Sequence, residues 1–271
     1  MAMRVIILTG SMQGTAAHHL PTLIASSVCE VAMVVLAEKA SAKPKNRFRK
    51  TLTKILRIGP LGALNGVRMR SWYDPAANGR DIRSLEDTCK EHGIPFHITP
   101  AINSARTREL FASAHADLGV SLGNGYIGPS VFTIPKWGMI NIHHEMLPDY
   151  QNAQSIIWQI HNMSSTTGYT IHRIDKDIDT GAIVHQEPVP IVFRDSLRQT
   201  VADTYLALLD ASALGLVHVL QHFERLAGAA RAQGPGTSYT TPSFMQFIRI
   251  LRNHRTLRSK SVERTMRSTG R

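Results

Sequence analysis

The chain has 271 residues, 43% of them hydrophobic, with 31 Lys+Arg against 20 Asp+Glu and a formal net charge of +11. That length supports one large domain with a full core, and the apolar fraction excludes a disordered chain. Two cysteines, Cys29 and Cys89, are too few for a disulfide framework and, alone, for a zinc site.

Residues 4–8 (Arg-Val-Ile-Ile-Leu) read as a buried parallel strand, followed by a turn over 9–14 and a helix toward Ala25. The apolar run over 3–8 is too short for a signal peptide. A second strand falls over 31–36. Residues 81–92 read as a helix, 94–98 as a strand, 104–114 as a helix, and 117–122 and 138–143 as short apolar strands. A short helix follows over 155–162, a strand over 170–173 and one or two more over 183–192. Residues 197–226 read as one long amphipathic helix, whose most apolar part, 205–220, is too short to span a bilayer. The expectation is a soluble, cytoplasmic protein. Strands alternating with helices predict an α/β fold: a Rossmann-like open, mostly parallel sheet with flanking helices.

The charge is concentrated. Ten Lys/Arg and no acid fall in 39–73, and eight Lys/Arg against Glu263 fall in 249–271; without these blocks the chain is net −6. Residues 1–227 are therefore expected to form the core domain, with 39–73 as a basic insert and 228–271 as a linker and basic tail. In the insert, Phe48, Leu52, Ile55 and Leu56 share one helical face, and Gly59-Pro60 is expected to stop that helix. Such blocks suit nucleic acid, an anionic membrane surface or a phosphorylated substrate, with a solvated loop and a frayed tail as the plainer alternative.

Chemistry concentrates in 137–183. Asn141 and His143 lie two apart on one strand and so share a face, just before Leu147-Pro148. Asp179 sits in a Gly-terminated turn that can return a carboxylate to the same place. An amide donor, an imidazole and a carboxylate suit acyl transfer, because the first two can hold a developing oxyanion and the third can orient the imidazole or relay protons. Satisfied structural polar groups remain the alternative on spacing alone. A metal hydrolase is disfavoured, since Pro148 stands four residues after His144 where a metalloprotease helix needs His. No metal is expected. A non-enzymatic nucleic-acid binder would explain both basic blocks but not the Asn/His/Asp set.

Asn141-x-His143, Leu147-Pro148, His172 and Asp179-Thr180-Gly181 stand in the order of the folate-dependent formyltransferase catalytic domain, which this stretch resembles. Gly125-Tyr126-Ile127-Gly128-Pro129 and Ile134-Pro135-Lys136-Trp137-Gly138 resemble the segments leading to the catalytic strand. The resemblance covers 117–192 well, 4–36 more weakly, and neither basic block. It implies 10-formyltetrahydrofolate as formyl donor and Asn141, His143 and Asp179 as catalytic residues. It further implies Tyr126, Ile127, Met139, Ile174, Asp175, Lys176, Asp177 and Ile178 as lining for the folate, with His172 ordering the site or serving structure.

The chain departs from the family's pattern at His144-Glu145-Met146 and Tyr150-Gln151-Asn152, which face the acceptor, and at the first strand-to-helix turn. The residues after Ile191, expected to be largely one helix and a basic tail, are not expected to build the C-terminal barrel that the methionyl-tRNA enzymes carry. The expected acceptor is an anionic small-molecule amine, first an amino sugar on a nucleotide or lipid carrier, then methionyl-tRNA, then glycinamide ribonucleotide, with water as in the hydrolases a further alternative. The basic blocks would then meet a membrane surface, making the protein peripheral to it, or a tRNA.

Overall fold

A computed structural model describes residues 2–38, 58–151, 154 and 156–269, with side chains through Glu263. The centre is a seven-stranded open sheet in the order β3-β2-β1-β4-β5-β6-β7. Its strands are β1 (Met3–Thr9), β2 (Cys29–Ala37), β3 (Phe96–Thr99), β4 (Leu118–Leu122), β5 (Met139–His143), β6 (Thr166–Arg173) and β7 (Ile183–Pro190). The first five run parallel, while β6 and β7 pair antiparallel at one edge. The open, mostly parallel sheet expected from the alternation of elements is what forms.

Burial on both faces explains why β1 is apolar without alternation. Val5 and Ile7 enter one core with Leu20, Leu23, Leu208 and Leu216, whereas Ile6 and Leu8 enter another with Leu110, Phe111 and Val131. The helices are α1 (Thr15–Ser26), α2 (58–68), α3 (Leu85–Glu91), α4 (Ala105–Ser113), α5 (Pro129–Phe132), α6 (Ile157–His161), α7 (Leu197–Gln221), α8 (Phe223–Gly228) and α9 (Phe244–Thr269). Ser84, Ser104 and Ser196 each accept a backbone N–H at a helix start, which sets the first turns of α3, α4 and α7. The cap at Ser84 explains why α3 begins later than the expected 81.

Three expectations change. The long helix over 197–226 breaks at His222, where the backbone leaves helical geometry and Phe223 stacks on Trp137 at 5.4 Å. At 25 residues, α7 is long and apolar enough to cross a membrane, contrary to the short segment expected; it packs against α1, β6 and β7 and buries 13 residues, as a core helix does. Gly59-Pro60 falls among the first described residues of α2, with Gly59 in the left-handed region at φ 76°. The helix expected over 48–57 and the rest of 39–57 lie outside the described residues.

The third change concerns the supposed linker and tail. Residues 228–243 are irregular but tied to the core: Arg231 bridges to Ile183, and Ser238 to Gln151. Beyond them α9 is a packed helix. Phe247, Ile250 and Leu257 join Trp72, Ile157, Trp158 and Ile160 in a third apolar cluster. His254 accepts or donates to Thr200 at 2.8 Å, and the Asn253 amide donates to the carbonyls of Ile160 and His161, closing the end of α6. A frayed tail would have no buried face; this one has apolar residues at 247, 250 and 257 with Arg249, Arg252 and Arg255 outward.

Candidate active site

In this strand order the chain adds β2 and β3 on one side of β1 and then β4 and β5 on the other, and ligands collect at the carboxyl ends of parallel strands near such a switch point. A cavity of about 540 Å³ lies there, in the size range of small-molecule sites. Its walls come from 123–127 after β4, from 141–145 at the end of β5, from 174–179 after β6, and from Tyr73 and Tyr205.

All three expected catalytic residues reach it. Asn141 and His143 share one face of β5, as alternate positions must. The turn after β6 brings Asp179 back to them: Asp179 Oδ2 lies 3.7 Å from His143 Nδ1, and Oδ1 lies 3.8 Å from His172 Nε2. That turn is fixed by its own chain. Asp175 Oδ1 accepts from Thr180 Oγ1 at 2.7 Å and from the Asp177 N–H at 3.1 Å. Gly181 then passes so close to Arg173 that a Cβ would sit 1.9 Å from its carbonyl oxygen, so only glycine fits.

Hydrogen bonds assign the ring nitrogens. His143 Nε2 lies 3.1 Å from the Tyr150 carbonyl, which can only accept, so Nε2 carries the hydrogen and Nδ1 is left for a ligand and Asp179. His172 Nδ1 donates to the Arg173 carbonyl at 2.9 Å, so in the neutral ring Nε2 accepts from Asn141 Nδ2 at 3.2 Å. Burial foremost lowers the His172 pKa, with Asp179 opposing, which favours that neutral ring. His172 thereby fixes the Asn141 amide, whose second N–H remains to donate.

The expected folate-lining residues divide. Tyr126, Ile127, Ile174, Asp175, Asp177 and Ile178 line the cavity. Met139 does not: it shares the face of Asn141 but lies one strand repeat earlier, 1% exposed and packed over Gly119 of β4. Lys176 does not line it either, since its side chain is exposed on the turn.

Sequence reading missed a second wall made by Tyr73, His144, Glu145, Gln154 and Tyr205. Tyr205 meets Tyr73 and His144 edge to face at 5.5 and 5.7 Å. The buried Glu145 carboxylate accepts from the Gln159 amide. Burial, then Glu145, pushes the Tyr73 phenol well above its ordinary pKa. Only the departures at 144–145 pointed this way; the tyrosines arrive from distant segments.

Behind that wall is a neutral imidazole pair. Ser212 Oγ donates to the Leu209 carbonyl, so His19 and His144 at 3.0 and 3.2 Å each donate Nε2–H to it. Burial drives both pKa values down, His144 to about 3. The unfolded chain takes up these protons near 6.5, so stability is complete above that pH and falls below it. Each such histidine should cost about 1.4 kcal/mol per pH unit. Urea unfolding of wild type and His144→Phe between pH 7 and pH 5 checks this: the variant should show a shallower loss.

The described lining residues include four carboxylates, Glu145, Asp175, Asp177 and Asp179, and no Lys or Arg. Two amide oxygens in the walls, Asn124 Oδ1 and Gln154 Oε1, are buried with no hydrogen-bond partner. Buried acceptors of this kind call for N–H donors from a ligand. Among the described residues no group of three His, Cys, Asp or Glu could hold a metal ion.

A family model described as formyl transferase matches residues 98–219. A curated methionyl-tRNA formyltransferase of Chromohalobacter salexigens is 29% identical over 168 residues, covering 58% of this chain and 52% of that protein. The chain thus spans about half the length of that relative. Among solved structures, phosphoribosylglycinamide formyltransferase from Bacillus halodurans superposes with a TM-score of 0.53 at 20% identity, over 82% of this chain and 98% of that one. A sugar 3N-formyl transferase, solved in the presence of dTDP and 5-N-formyl-THF, superposes with a TM-score of 0.51 at 17% identity, over 88% and 70%. At such identities the likeness is one of fold.

Proposed function

We propose that the chain, which is similar over residues 98–219 to the formyl transferase family model, transfers the formyl group of 10-formyltetrahydrofolate to a primary amine, first of all that of an amino sugar on a nucleotide or lipid carrier. The observation that carries the reading is the convergence of Asn141, His143 and Asp179 on one cavity beside neutral His172. The cavity fits the donor: its volume suits a pterin, and the unpartnered oxygens of Asn124 and Gln154 suit a ring rich in N–H groups. Bound folate supplies the formyl carbon and, at N10, the leaving nitrogen.

The residues act on charge and protons. Asn141, held through Nδ2 by His172, directs its other N–H at the oxyanion that forms when the amine attacks. His143, tethered at Nε2 by Tyr150, presents Nδ1. Asp179 Oδ2 lies 3.7 Å from that Nδ1, so a proton passed to Nδ1 during the reaction has a carboxylate beside it and adds a second donor to the oxyanion. As the new C–N bond forms and the bond to N10 breaks, the proton lost by the amine reaches N10 through Asp179 or a water it holds. No covalent enzyme intermediate is needed.

The acceptor's amine enters beside Tyr73, His144, Glu145 and Tyr205. With no described cation in the walls, the sugar rather than its phosphates occupies this end, and the phosphates remain outside the cavity. Aromatic faces and a carboxylate suit sugar C–H and hydroxyl groups. A panel of amino-sugar nucleotides, lipid-linked amino sugars, methionyl-tRNA and glycinamide ribonucleotide, with tetrahydrofolate release followed, tests the order; faster turnover with methionyl-tRNA than with any amino sugar refutes it.

A further inference from the structure

Two exposed apolar strips, from segments nearly two hundred residues apart, lie on neighbouring elements at the surface. Helix α2 is built inside out for a soluble helix. Its inward face is Ile58, Gly62, Gly66 and Met69, whereas Leu61, Leu64 and Val67 are 52%, 65% and 61% exposed. The glycines let the start of α9 lie against the α2 backbone: a Cβ on Gly62 would be 3.3 Å from Pro242, Ser243 and Phe244 backbone atoms, and one on Gly66 would be 2.6 Å from the Thr241 methyl. From that junction α9 continues with Phe244, Met245 and Ile248 exposed, Met245 to 73%. Exposed large apolar side chains grouped in this way mark an interaction site.

The charge around them is of one sign. Arg68 and Arg70 follow the α2 strip, and Arg249, Arg252 and Arg255 continue the outward face of α9, all exposed. Neither 58–73 nor 244–262 contains an acid. Aliphatic side chains ringed by arginines suit a surface that is negative outside and hydrocarbon beneath. A nucleic-acid surface would call for stacking aromatics among the cations, and here only Phe244 stands among aliphatics.

We propose that α2 and the amino-terminal half of α9 form a docking face for an anionic lipid bilayer, with Leu61, Leu64, Val67 and Met245 entering the acyl boundary and Arg68, Arg249, Arg252 and Arg255 meeting the headgroups. The same chain that leaves α2 reaches the cavity wall at Tyr73. Docking at α2 therefore holds the reaction chamber near the bilayer, where an amine on a lipid carrier is presented. The docking face stands whatever the acceptor proves to be.

The test is co-sedimentation of the full chain with phosphatidylcholine vesicles with and without phosphatidylglycerol, independent of any turnover assay. The protein should partition onto the anionic vesicles only. Arg249→Ala with Arg252→Ala should weaken that partition about thirty-fold, from two headgroup contacts, and Leu64→Asp with Met245→Asp by at least about ten-fold. Both double variants should keep the wild-type circular dichroism spectrum and melting temperature. The proposal is overturned by three outcomes: no partition onto anionic vesicles; partition unchanged in Leu64→Asp/Met245→Asp; or a wild-type dimer in sedimentation that this variant converts to monomer. Binding of tRNA that competes with vesicles and ignores the apolar substitutions would assign the face to nucleic acid instead.

Discussion

Replacing His143 by alanine lowers the single-turnover rate of formyl transfer about a thousandfold, with donor binding kept within a few-fold. The imidazole supplies a proton-bearing group at the oxyanion with Asp179 3.7 Å away, and such groups carry about 10²–10⁴ in rate. The cavity lining from Tyr126 to Ile127 and from Ile174 to Ile178 does not depend on this ring, so binding persists. Asn141→Ala should lose about 10²–10³ through the missing donor. Asp179→Asn should lose about 10²–10⁴ by removing the carboxylate that relays the amine's proton. Rapid quench of labelled formyl donor checks all three; a His143→Ala enzyme at near-normal rate removes this residue from the chemistry.

Phe247→Ala should destabilise the fold by about 3–5 kcal/mol, a large part of a domain's total stability. The ring lies 6.4 Å from Trp72 in the cluster that also holds Trp158 and Ile157, and its removal leaves a cavity between α9 and the core. Ending the chain at Pro242 removes Phe247, Ile250 and Leu257 together. It also leaves Thr200 without the His254 bond and the end of α6 without Asn253. Such a chain should fail to fold cooperatively, whereas Met245→Ala on the exposed side should change stability by less than about 0.5 kcal/mol. Urea denaturation by circular dichroism separates these cases. A truncated chain that unfolds at the wild-type midpoint would show α9 to be dispensable.

The helix α9 illustrates what the sequence conceals. Its apolar spacing at 247, 250 and 257 is visible, yet the excess of arginine around it reads as a solvated tail, because charge density does not reveal that one face has a partner. The opposite holds for β1, β4 and β5, whose runs of buried residues fixed the sheet in advance since both faces pack. Asn141, His143 and Asp179 were legible because strand period and a Gly-terminated turn are local signals. Tyr73 and Tyr205 were not, since each reaches the cavity by tertiary packing of segments 132 positions apart. Met139 obeyed the strand period and still missed the site, because the period gives a face of the sheet and not a depth along it. Lys176 and Asp175 sit side by side, but the turn spends one on Thr180 and leaves the other in solvent.

The central claim is that formyl carbon passes from folate to an amine through these residues. Its most direct test supplies 10-formyltetrahydrofolate labelled at the formyl carbon, with the amino-sugar panel and a water-only control, and follows where the label goes. The account predicts label in a stable amide of an amino sugar, tetrahydrofolate released in equal amount, and little release with water alone. Label recovered solely as formate, at one rate with or without amine, would contradict it.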